Sequence, residues 1–331
     1  MGYVVPLEAD EAIEEPLVGR KFASLARAFR EGFPVPAALV VTTRAQAAWR
    51  AHAAWPDGLR EEVAAAAARL GGSLSVRSSA VKEDLAGWSF AGQYRSFLNI
   101  PTVAELLARI EDCRESAASE TVRAYLAASR VEGAEAEAPL MAVILQRMVH
   151  AAWSGVAFSR DPRRPDAENT LWIEAARGTG EALVSGRLTP WRARVERGMT
   201  PRIVHDGGPS SRLPQEVPCS AIADLLAGLE ERLGLPELDI EWALDGDGML
   251  WLLQLRPITS CSEAGTDLPP PGIWTRRLAE DLWGERLEPF LADVMLRHAP
   301  RFDLSPILAR LGIPRVQPTL AVIHGYLYVN G

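Results

Sequence analysis

Two short apolar strands joined by a glycine-rich turn constrain the fold of this sequence more than any other feature. Residues 239–244 and 249–256 flank an Asp-Gly-Asp-Gly segment, which predicts a β-hairpin with a two-residue or four-residue loop. Because side chains alternate along a strand, either loop puts Glu241 on the same face as residues 250, 252, 254 and 256. The opposite face then carries Trp242 and Trp251, which we predict to form a cross-strand pair in the core.

An acid, an amide and an arginine share the polar face of this predicted hairpin, namely Glu241, Gln254 and Arg256. Carboxylate and amide oxygens are ligands that a divalent cation accepts, and an arginine beside them can neutralise an anion. The combination suits a cation bound to phosphate oxygens, which is what ATP chemistry needs. The alternative is that these residues form the ordinary solvent-facing side of an amphipathic strand.

Composition limits the size of the fold and the classes of binding partner that the chain can have. Its 331 residues are 48% hydrophobic, enough for more than one domain or lobe. A net charge of -8 argues against a general nucleic-acid or membrane surface. Since the sequence shows neither a signal-peptide pattern nor an apolar stretch long enough to span a bilayer, we predict a cytoplasmic protein without nucleic-acid or membrane partners. Cys113, Cys219 and Cys261 have no metal-ligand spacing and are predicted to be reduced and structural.

Lysine is rare in this chain. Of the 35 basic residues other than histidine, only Lys21 and Lys82 are lysines. In a chain that otherwise uses arginine, these two positions are candidates for a compact ammonium group, which binds phosphate as a point charge. Chance is the competing explanation.

Helical and strand patterns alternate irregularly, which favours an α+β fold over a doubly wound parallel sheet. A helix is predicted at 22–31, after Lys21, and others at 59–70, 103–129 and 221–233. Strands are predicted at 38–42, 74–78, 140–146, 155–159, 171–175 and 191–195. We predict one domain at 1–260, a linker at 261–272 and the start of a following, truncated helical domain at 273–331.

Several segments resemble, in order, the N-terminal nucleotide-binding domain of the phosphoenolpyruvate synthase and pyruvate phosphate dikinase family, which rifampicin phosphotransferase-like dikinases share. The matching segments are Ser-Val-Arg-Ser-Ser-Ala at 75–80, Ser-Phe-Ala-Gly-Gln at 89–93, Gln-Arg-Met-Val at 146–149, Gly-Thr-Gly-Glu at 178–181, Asp-Ile-Glu-Trp-Ala at 239–243 and Leu-Gln-Leu-Arg-Pro at 253–257. The resemblance covers about 260 residues. It implies an ATP-grasp fold, in which two α+β lobes hold ATP with Mg²⁺.

The resemblance also implies roles for individual residues. Those expected to bind ATP or Mg²⁺ are Lys21 and Arg77 at the phosphates, Gly92 in a flap over them, Gln146 and Met148 at adenine, Glu181 near the ribose, Glu241 and Gln254 on Mg²⁺, and Arg256 on the transferred phosphoryl group.

Simpler roles remain open for three of these residues. Arg77 could pair with Glu83 or Asp84, both nearby in sequence. Gln146 could satisfy a buried backbone group, and Met148 could pack in the core.

The reaction implied is that of a dikinase, which cleaves ATP to AMP and passes a phosphoryl group through a histidine domain to a small-molecule acceptor. None of the five histidines of this chain lies in a phosphohistidine motif, so that domain is expected elsewhere in the full-length protein or in a separate chain. Two alternatives are an ATP-grasp ligase that activates its substrate by phosphorylation, and a nucleotide sensor without turnover.

Overall fold

The computed structural model describes residues 2–52, 54–81, 96–116, 140–160, 169–179, 190–197, 202–204, 216–258, 274–275, 320–323 and 326–330. The chain divides into two compact units. The first comprises Met1–Val184 with Leu188–Cys261, and the second comprises Ser185–Arg187 with Ser262–Gly331.

The first unit contains an antiparallel sheet of five strands in the order β1-β2-β5-β3-β4. Its strands are β1 (Val4–Pro6), β2 (Ala38–Val41), β3 (Leu74–Ala80), β4 (Ser96–Ile100) and β5 (Met141–Arg147). A 3₁₀ turn spans Asp10–Ile13, and the helices around this sheet are α1 (Glu15–Arg30), α2 (Thr43–His52), α3 (Leu59–Leu70) and α4 (Val103–Ser116). Apolar residues of α3 and α4 cover one face of the sheet, in a core that includes Leu59, Leu106 and Val76.

A second antiparallel sheet of the same unit has six strands in the order β11-β10-β6-β7-β8-β9. Its strands are β6 (Ala151–Phe158), β7 (Thr170–Arg177), β8 (Trp191–Glu196), β9 (Arg202–Val204), β10 (Leu238–Asp245) and β11 (Leu250–Pro257). One helix, α5 (Cys219–Leu233), packs against β10. Two sheets with flanking helices confirm the predicted α+β class.

One large core joins the two sheets to α1 and α5. Phe22 of α1, Ile144 of β5 and Trp242 of β10 all belong to it, and Trp242 is fully buried. A side chain at Gly155 of β6 would overlap the Glu174 carbonyl oxygen of β7 and lie 2.8 Å from the Trp242 ring. Glycine therefore lets the hairpin of β10 and β11 pack closely on the rest of its sheet.

Helix α1 differs from its prediction. Instead of starting at Phe22 it begins at Glu15, with a break at Gly19, whose φ of 73° and ψ of 163° are not helical. A Cβ on Gly19 would overlap the carbonyl oxygen of Ser79. Glycine is required here because it alone accepts this φ without strain and lets the helix approach the backbone of β3.

Most other predicted elements occur within a few residues of their expected positions. Of the helix predicted at 103–129, residues 117–129 lie outside the described ranges. Elements that were not predicted include β1, β4, β9 and α2. Strand β1 is only three residues long, and the Ala-rich α2 has a weak apolar pattern. Cys113 and Cys219 are buried and outside any disulfide, and burial raises the pKa of the Cys219 thiol to about 11. Cys261 lies outside the described residues.

The second unit contains a small antiparallel sheet in the order β12-β14-β13, formed by β12 (Trp274–Thr275), β13 (Leu320–Ile323) and β14 (Tyr326–Asn330). The helical domain predicted at 273–331 thus contains three strands in its described residues. Residues 276–319, like the linker predicted at 261–272, fall outside the described ranges. Throughout the described ranges, no helix is both long and apolar enough to cross a membrane.

Candidate ATP-binding site

The site is built on the hairpin of β10 and β11, where Glu241 and Gln254 are direct cross-strand partners. Beyond this pair the register shifts, because Trp242 lies opposite Leu252 and Ala243 lies opposite Trp251. Leu253 is therefore the extra residue of a β-bulge. The bulge keeps Glu241 and Gln254 on one face while Leu252 and Leu255 both enter the core.

The register of the hairpin corrects three predictions. The loop has three residues rather than two or four, because Leu244 lies opposite Leu250 and the Asp245 N–H donates to the Met249 carbonyl oxygen at 3.0 Å. Residues 254 and 256 share the face of Glu241 as expected, whereas 250 and 252 lie on the opposite, core-facing side with Trp242. The predicted pair of Trp242 with Trp251 is wrong, because Trp251 lies opposite Ala243. The indole nitrogen of Trp251 instead donates to Asp245 Oδ2 at 2.8 Å.

Arg77 reaches from β3 of the first sheet to the hairpin of the second. Its Nη2 donates to Glu241 Oε2 at 2.5 Å and to Gln254 Oε1 at 2.7 Å, and its Nη1 donates to the Leu253 carbonyl oxygen at 3.2 Å. The Arg77 and Glu241 side chains are 15% and 19% exposed, so the ion pair is largely shielded from water. One guanidinium thus holds the carboxylate, the amide and the bulge together. Glu83 and Asp84, the alternative partners of Arg77, lie outside the described residues.

Two further cations lie around Glu241. Arg256 Nη2 is 4.0 Å from Glu241 Oε1, and its Nε is 3.8 Å from Asp239 Oδ2. Burial raises the pKa of the Glu241 carboxyl, but the positive charges of Arg77, Arg256 and Lys21 outweigh burial and lower this pKa below its ordinary value. Glu241 is therefore ionised at neutral pH, and Lys21 lies close enough to act on it.

Asp239 is a member of this cluster that the sequence analysis did not single out. It lies opposite Arg256 in the hairpin register and two residues from Glu241, on the same face. The period-two alternation of the strand could have identified it, since residues 239 and 241 must project to the same side.

The two glutamines of the prediction are both buried. Gln146 and Gln254 are 3% exposed, and the side-chain Nε2 of each has no hydrogen-bond partner within the described part of the chain. Gln146 lies opposite Ser75 near the end of β5, on the sheet face that also carries Ile144 and Arg77. Buried amide nitrogens of this kind are rare in folded proteins and mark positions where a ligand can accept a hydrogen bond.

The remaining predicted residues lie away from the hairpin or outside the described ranges. Met148 follows β5, is half-buried, and its backbone N–H donates to the Ser73 carbonyl oxygen at 3.0 Å. Gly92 and Glu181 fall in ranges that the structure does not describe.

The donor set at the hairpin fits Mg²⁺ with nucleotide better than a metal held by protein alone. Glu241 and Gln254 offer hard oxygens, and within the described ranges no group of three or more His, Cys, Asp or Glu side chains could hold a metal. Mg²⁺ in proteins is commonly bound by one or two carboxylates together with substrate phosphates and water. A site with few protein oxygens, surrounded by cations that can bind phosphate, matches that pattern.

Sequence comparison identifies the family. Residues 47–212 match the family described as "Pyruvate phosphate dikinase, AMP/ATP-binding domain". The chain belongs to this family. The matched range includes β3 with Arg77 and β5 with Gln146, and the predicted resemblance is thereby confirmed. Membership in this family, together with the two antiparallel sheets and their helices, confirms the ATP-grasp assignment.

Three curated relatives of this chain are named as transferases, and two of these names specify a phosphotransferase. It is 29% identical to the uncharacterized phosphotransferase YvkC of Bacillus subtilis (strain 168), over 77% of this chain and 35% of the relative. It is 32% identical to the prodigiosin synthesizing transferase PigC of Serratia marcescens, over 78% of this chain and 33% of the relative. It is 34% identical to a rifampicin phosphotransferase of a Streptomyces species, over 62% of this chain and 26% of the relative. The chain spans about a third of the length of these relatives.

Among solved structures, an ADP complex of N5-carboxyaminoimidazole ribonucleotide synthetase is similar over 76% of this chain and 47% of that chain, with 12% sequence identity and a TM-score of 0.36.

Proposed function

We propose that the first unit binds ATP with Mg²⁺ at the polar face of the hairpin and provides the ATP-binding part of a dikinase-type phosphotransferase. In this proposal, a phosphoryl group taken from ATP passes through a histidine domain outside this chain to a small-molecule acceptor, in the cytoplasm. The observation that carries the proposal is the contact of Arg77 with both Glu241 and Gln254. It brings a phosphate-binding cation and two oxygen ligands of Mg²⁺ to one point.

The charge around Glu241 supports a polyphosphate ligand. Three cations, Arg77, Arg256 and Lys21, act on one ionised carboxylate, and Asp239 is the second acid nearby. Phosphoryl transfer depends mainly on positioning and on cations that stabilise the negative charge of the transferred group. In this role Lys21 and Arg77 bind phosphate oxygens, and Arg256 stabilises charge that develops during transfer.

Arg77 holds the same oxygens that we assign to the metal. Its Nη2 is within hydrogen-bond distance of Glu241 Oε2 and Gln254 Oε1, so both oxygens are engaged by one guanidinium group. Mg²⁺ held by Glu241 and Gln254 would supply positive charge beside the phosphates of bound ATP. We propose that the guanidinium of Arg77 then leaves Glu241 and Gln254 and turns to a phosphate, which exchanges one cation for another beside the same carboxylate.

The adenine and ribose contacts are proposed from the same family resemblance. The buried amide nitrogen of Gln146, which has no hydrogen-bond partner among the described residues, supports a contact with an acceptor atom of adenine. The half-buried Met148 follows the same strand. Glu181 near the ribose and Gly92 in a flap complete the proposed set.

Calorimetric titration tests nucleotide binding directly. We expect ATP to bind in the presence of Mg²⁺ and to bind more weakly when Mg²⁺ is chelated. Lys21→Ala should weaken ATP about tenfold and adenosine less than twofold, because a phosphate-directed ammonium has nothing to contact on the nucleoside. Equal losses for the two ligands would show that Lys21 supports the fold rather than the phosphates.

The fate of ATP distinguishes the reaction classes. A chain that lacks a mobile phosphate carrier should bind ATP labelled in its β- or γ-phosphate and transfer little label to itself, since hydrolysis without a placed nucleophile is slow. A separately expressed histidine domain should restore transfer, with AMP and phosphate as products. ADP as the product with a condensation substrate would indicate a ligase, and tight binding without turnover even with the partner domain would indicate a sensor.

A further inference from the structure

The break in α1 brings the helix that carries Lys21 into contact with β3. After the non-helical Gly19, the chain resumes its helix through Arg20, Lys21 and Phe22. The backbone N–H of Phe22 donates to Ser79 Oγ at 3.2 Å, and both groups are buried. With Gly19 in the capping position, Phe22 is the third residue of the resumed helix, whose N–H is normally satisfied by the side chain of the capping residue. Glycine has no such side chain, and Ser79 supplies the oxygen from a strand 57 residues away in sequence.

A second contact fixes the same junction. A Cβ on Gly19 would lie 2.0 Å from the Ser79 carbonyl oxygen and 2.4 Å from its Oγ. The helix break therefore lies in direct contact with both the backbone and the side chain of Ser79. Ser79 is fully buried, so water does not replace it as the partner of Phe22.

Strand β3 also carries Arg77. Residues 77 and 79 project to the same face of the strand, because side chains alternate. Arg77 binds Glu241 and Gln254, and Ser79 holds the start of the helix segment that presents Lys21. Lys21 in turn acts on Glu241 electrostatically.

We infer that Ser79 is a positioning residue, which fixes Lys21 relative to Arg77 so that both cations meet the phosphates of one ATP molecule. This inference rests on the proposed function. Ser79 acts through the Phe22 N–H and the helix turn that contains Lys21, and it does not itself contact the nucleotide.

The neighbouring residue gives a matched control. Ser78 and Ser79 are adjacent in β3, and both are fully buried. The Oγ of Ser78 has no hydrogen-bond partner among the described residues, whereas that of Ser79 holds Phe22. Each Ser→Ala change removes one oxygen atom, but only the change at residue 79 removes the bond to the helix.

The test is a double-mutant cycle with ATP and adenosine as ligands, measured by calorimetry beside thermal unfolding. Ser79→Ala is expected to weaken ATP about three- to tenfold and adenosine less than twofold, and Ser78→Ala should leave both affinities unchanged. In a Lys21→Ala background, Ser79→Ala should cause no further loss of ATP affinity, because its effect passes through Lys21. A purely structural role would lower the unfolding temperature while leaving the ratio of ATP to adenosine affinity as in the unmodified chain.

Two results would overturn the inference: equal ATP affinity in Ser78→Ala and Ser79→Ala, or additive losses in the Lys21→Ala/Ser79→Ala double variant. If Ser79→Ala does not fold, Ser79→Cys, which keeps a weak acceptor at the same place, enters the same cycle. A failure of the proposed function is distinguishable, because the unmodified chain would then bind no ATP at all.

Discussion

Two arginine–carboxylate pairs of the first unit have the same closest distance and different surroundings. Arg197 binds Glu230 through both ends, with Nη1 at 2.5 Å from Oε2 and Nη2 at 2.9 Å from Oε1, and its Nη2 also donates to the Ser159 carbonyl oxygen at 2.7 Å. Arg77 approaches Glu241 equally closely, at 2.5 Å, but through a single nitrogen that it shares with Gln254.

This difference is what we expect between an ion pair that stabilises the fold, such as Arg197–Glu230, and one that binds a ligand, as proposed for Arg77–Glu241. Both oxygens of Glu230 are engaged by one planar guanidinium, which is the geometry of a closed bidentate ion pair. Around Glu241 the positive charges of Arg77, Arg256 and Lys21 meet the carboxylates of Glu241 and Asp239. Bidentate pairing satisfies both partners, whereas an excess of cations at a site largely shielded from water favours an added anion. The comparison therefore supports the proposal that the ligand binds at the Arg77–Glu241 pair, which is not bidentate.

The largest expected difference between the two pairs comes from removing the charge of each carboxylate. Glu241→Gln should weaken Mg²⁺-dependent ATP binding about 30-fold, or about 2 kcal/mol, because the metal loses its charged ligand. Glu230→Gln should cost about 1 kcal/mol of folding free energy and leave ATP affinity within twofold. Calorimetry with ATP and urea unfolding of both variants measure these effects. Similar ATP affinities for the two folded variants would contradict the assignment.

A smaller effect is expected from substituting Arg77, and it should strengthen the binding of a divalent cation rather than weaken it. Because Arg77 occupies the oxygens of Glu241 and Gln254, it should compete with a divalent cation when nucleotide is absent. Arg77→Gln should therefore bind Mn²⁺ alone about three- to tenfold more tightly than the unmodified chain, while it binds ATP more weakly. Electron paramagnetic resonance of free Mn²⁺ measures the first effect, and calorimetry measures the second.

The Arg197→Gln variant is the matched control for that experiment. It removes an arginine from a carboxylate of similar exposure without touching the hairpin, so its Mn²⁺ affinity should not change. If Arg77→Gln weakened Mn²⁺ together with ATP, Arg77 would be a structural tie for Glu241, and the proposed exchange of cations would be wrong.

The sequence predicted the site residues within the hairpin better than the contacts that join the two sheets. Strand alternation and the matching motif predicted Glu241, Gln254 and Arg256 on one face, and this is correct because a three-residue loop and a bulge each shift the register by one residue. These patterns could not predict the bulge at Leu253, because no glycine marks it and the shift follows from burying both Leu252 and Leu255. The three-residue loop moved residues 250 and 252 to the opposite face and separated Trp251 from Trp242, and the bulge returned residues 254 and 256 to the face of Glu241.

Contacts between segments far apart in the sequence could not be predicted, for a different reason. Arg77 and Glu241 are 164 residues apart, and their contact depends on how two sheets pack, which no local pattern determines. The same holds for Gly19 and Ser79, where the sequence shows a glycine before a helix but not the strand that requires it. Local chemistry was predictable for each element, whereas the partner of each charged group was set by tertiary packing.

The smallest expected effect is on the pH dependence of the folding free energy, compared between the unmodified chain and Glu241→Gln. Cations around Glu241 lower its pKa in the folded state, so folding is favoured by its ionised form. That contribution is fully present above the pKa of an unfolded glutamate, about 4.3, and is lost as the pH falls through the lower folded pKa. In urea unfolding between pH 7 and pH 3, the stability gap between the unmodified chain and Glu241→Gln should therefore be constant from pH 7 to about pH 5 and shrink below about pH 4. A gap that stays constant to pH 3 would mean that the cations around Glu241 do not favour its ionised form, and the contrast between the two arginine pairs would lose its electrostatic basis.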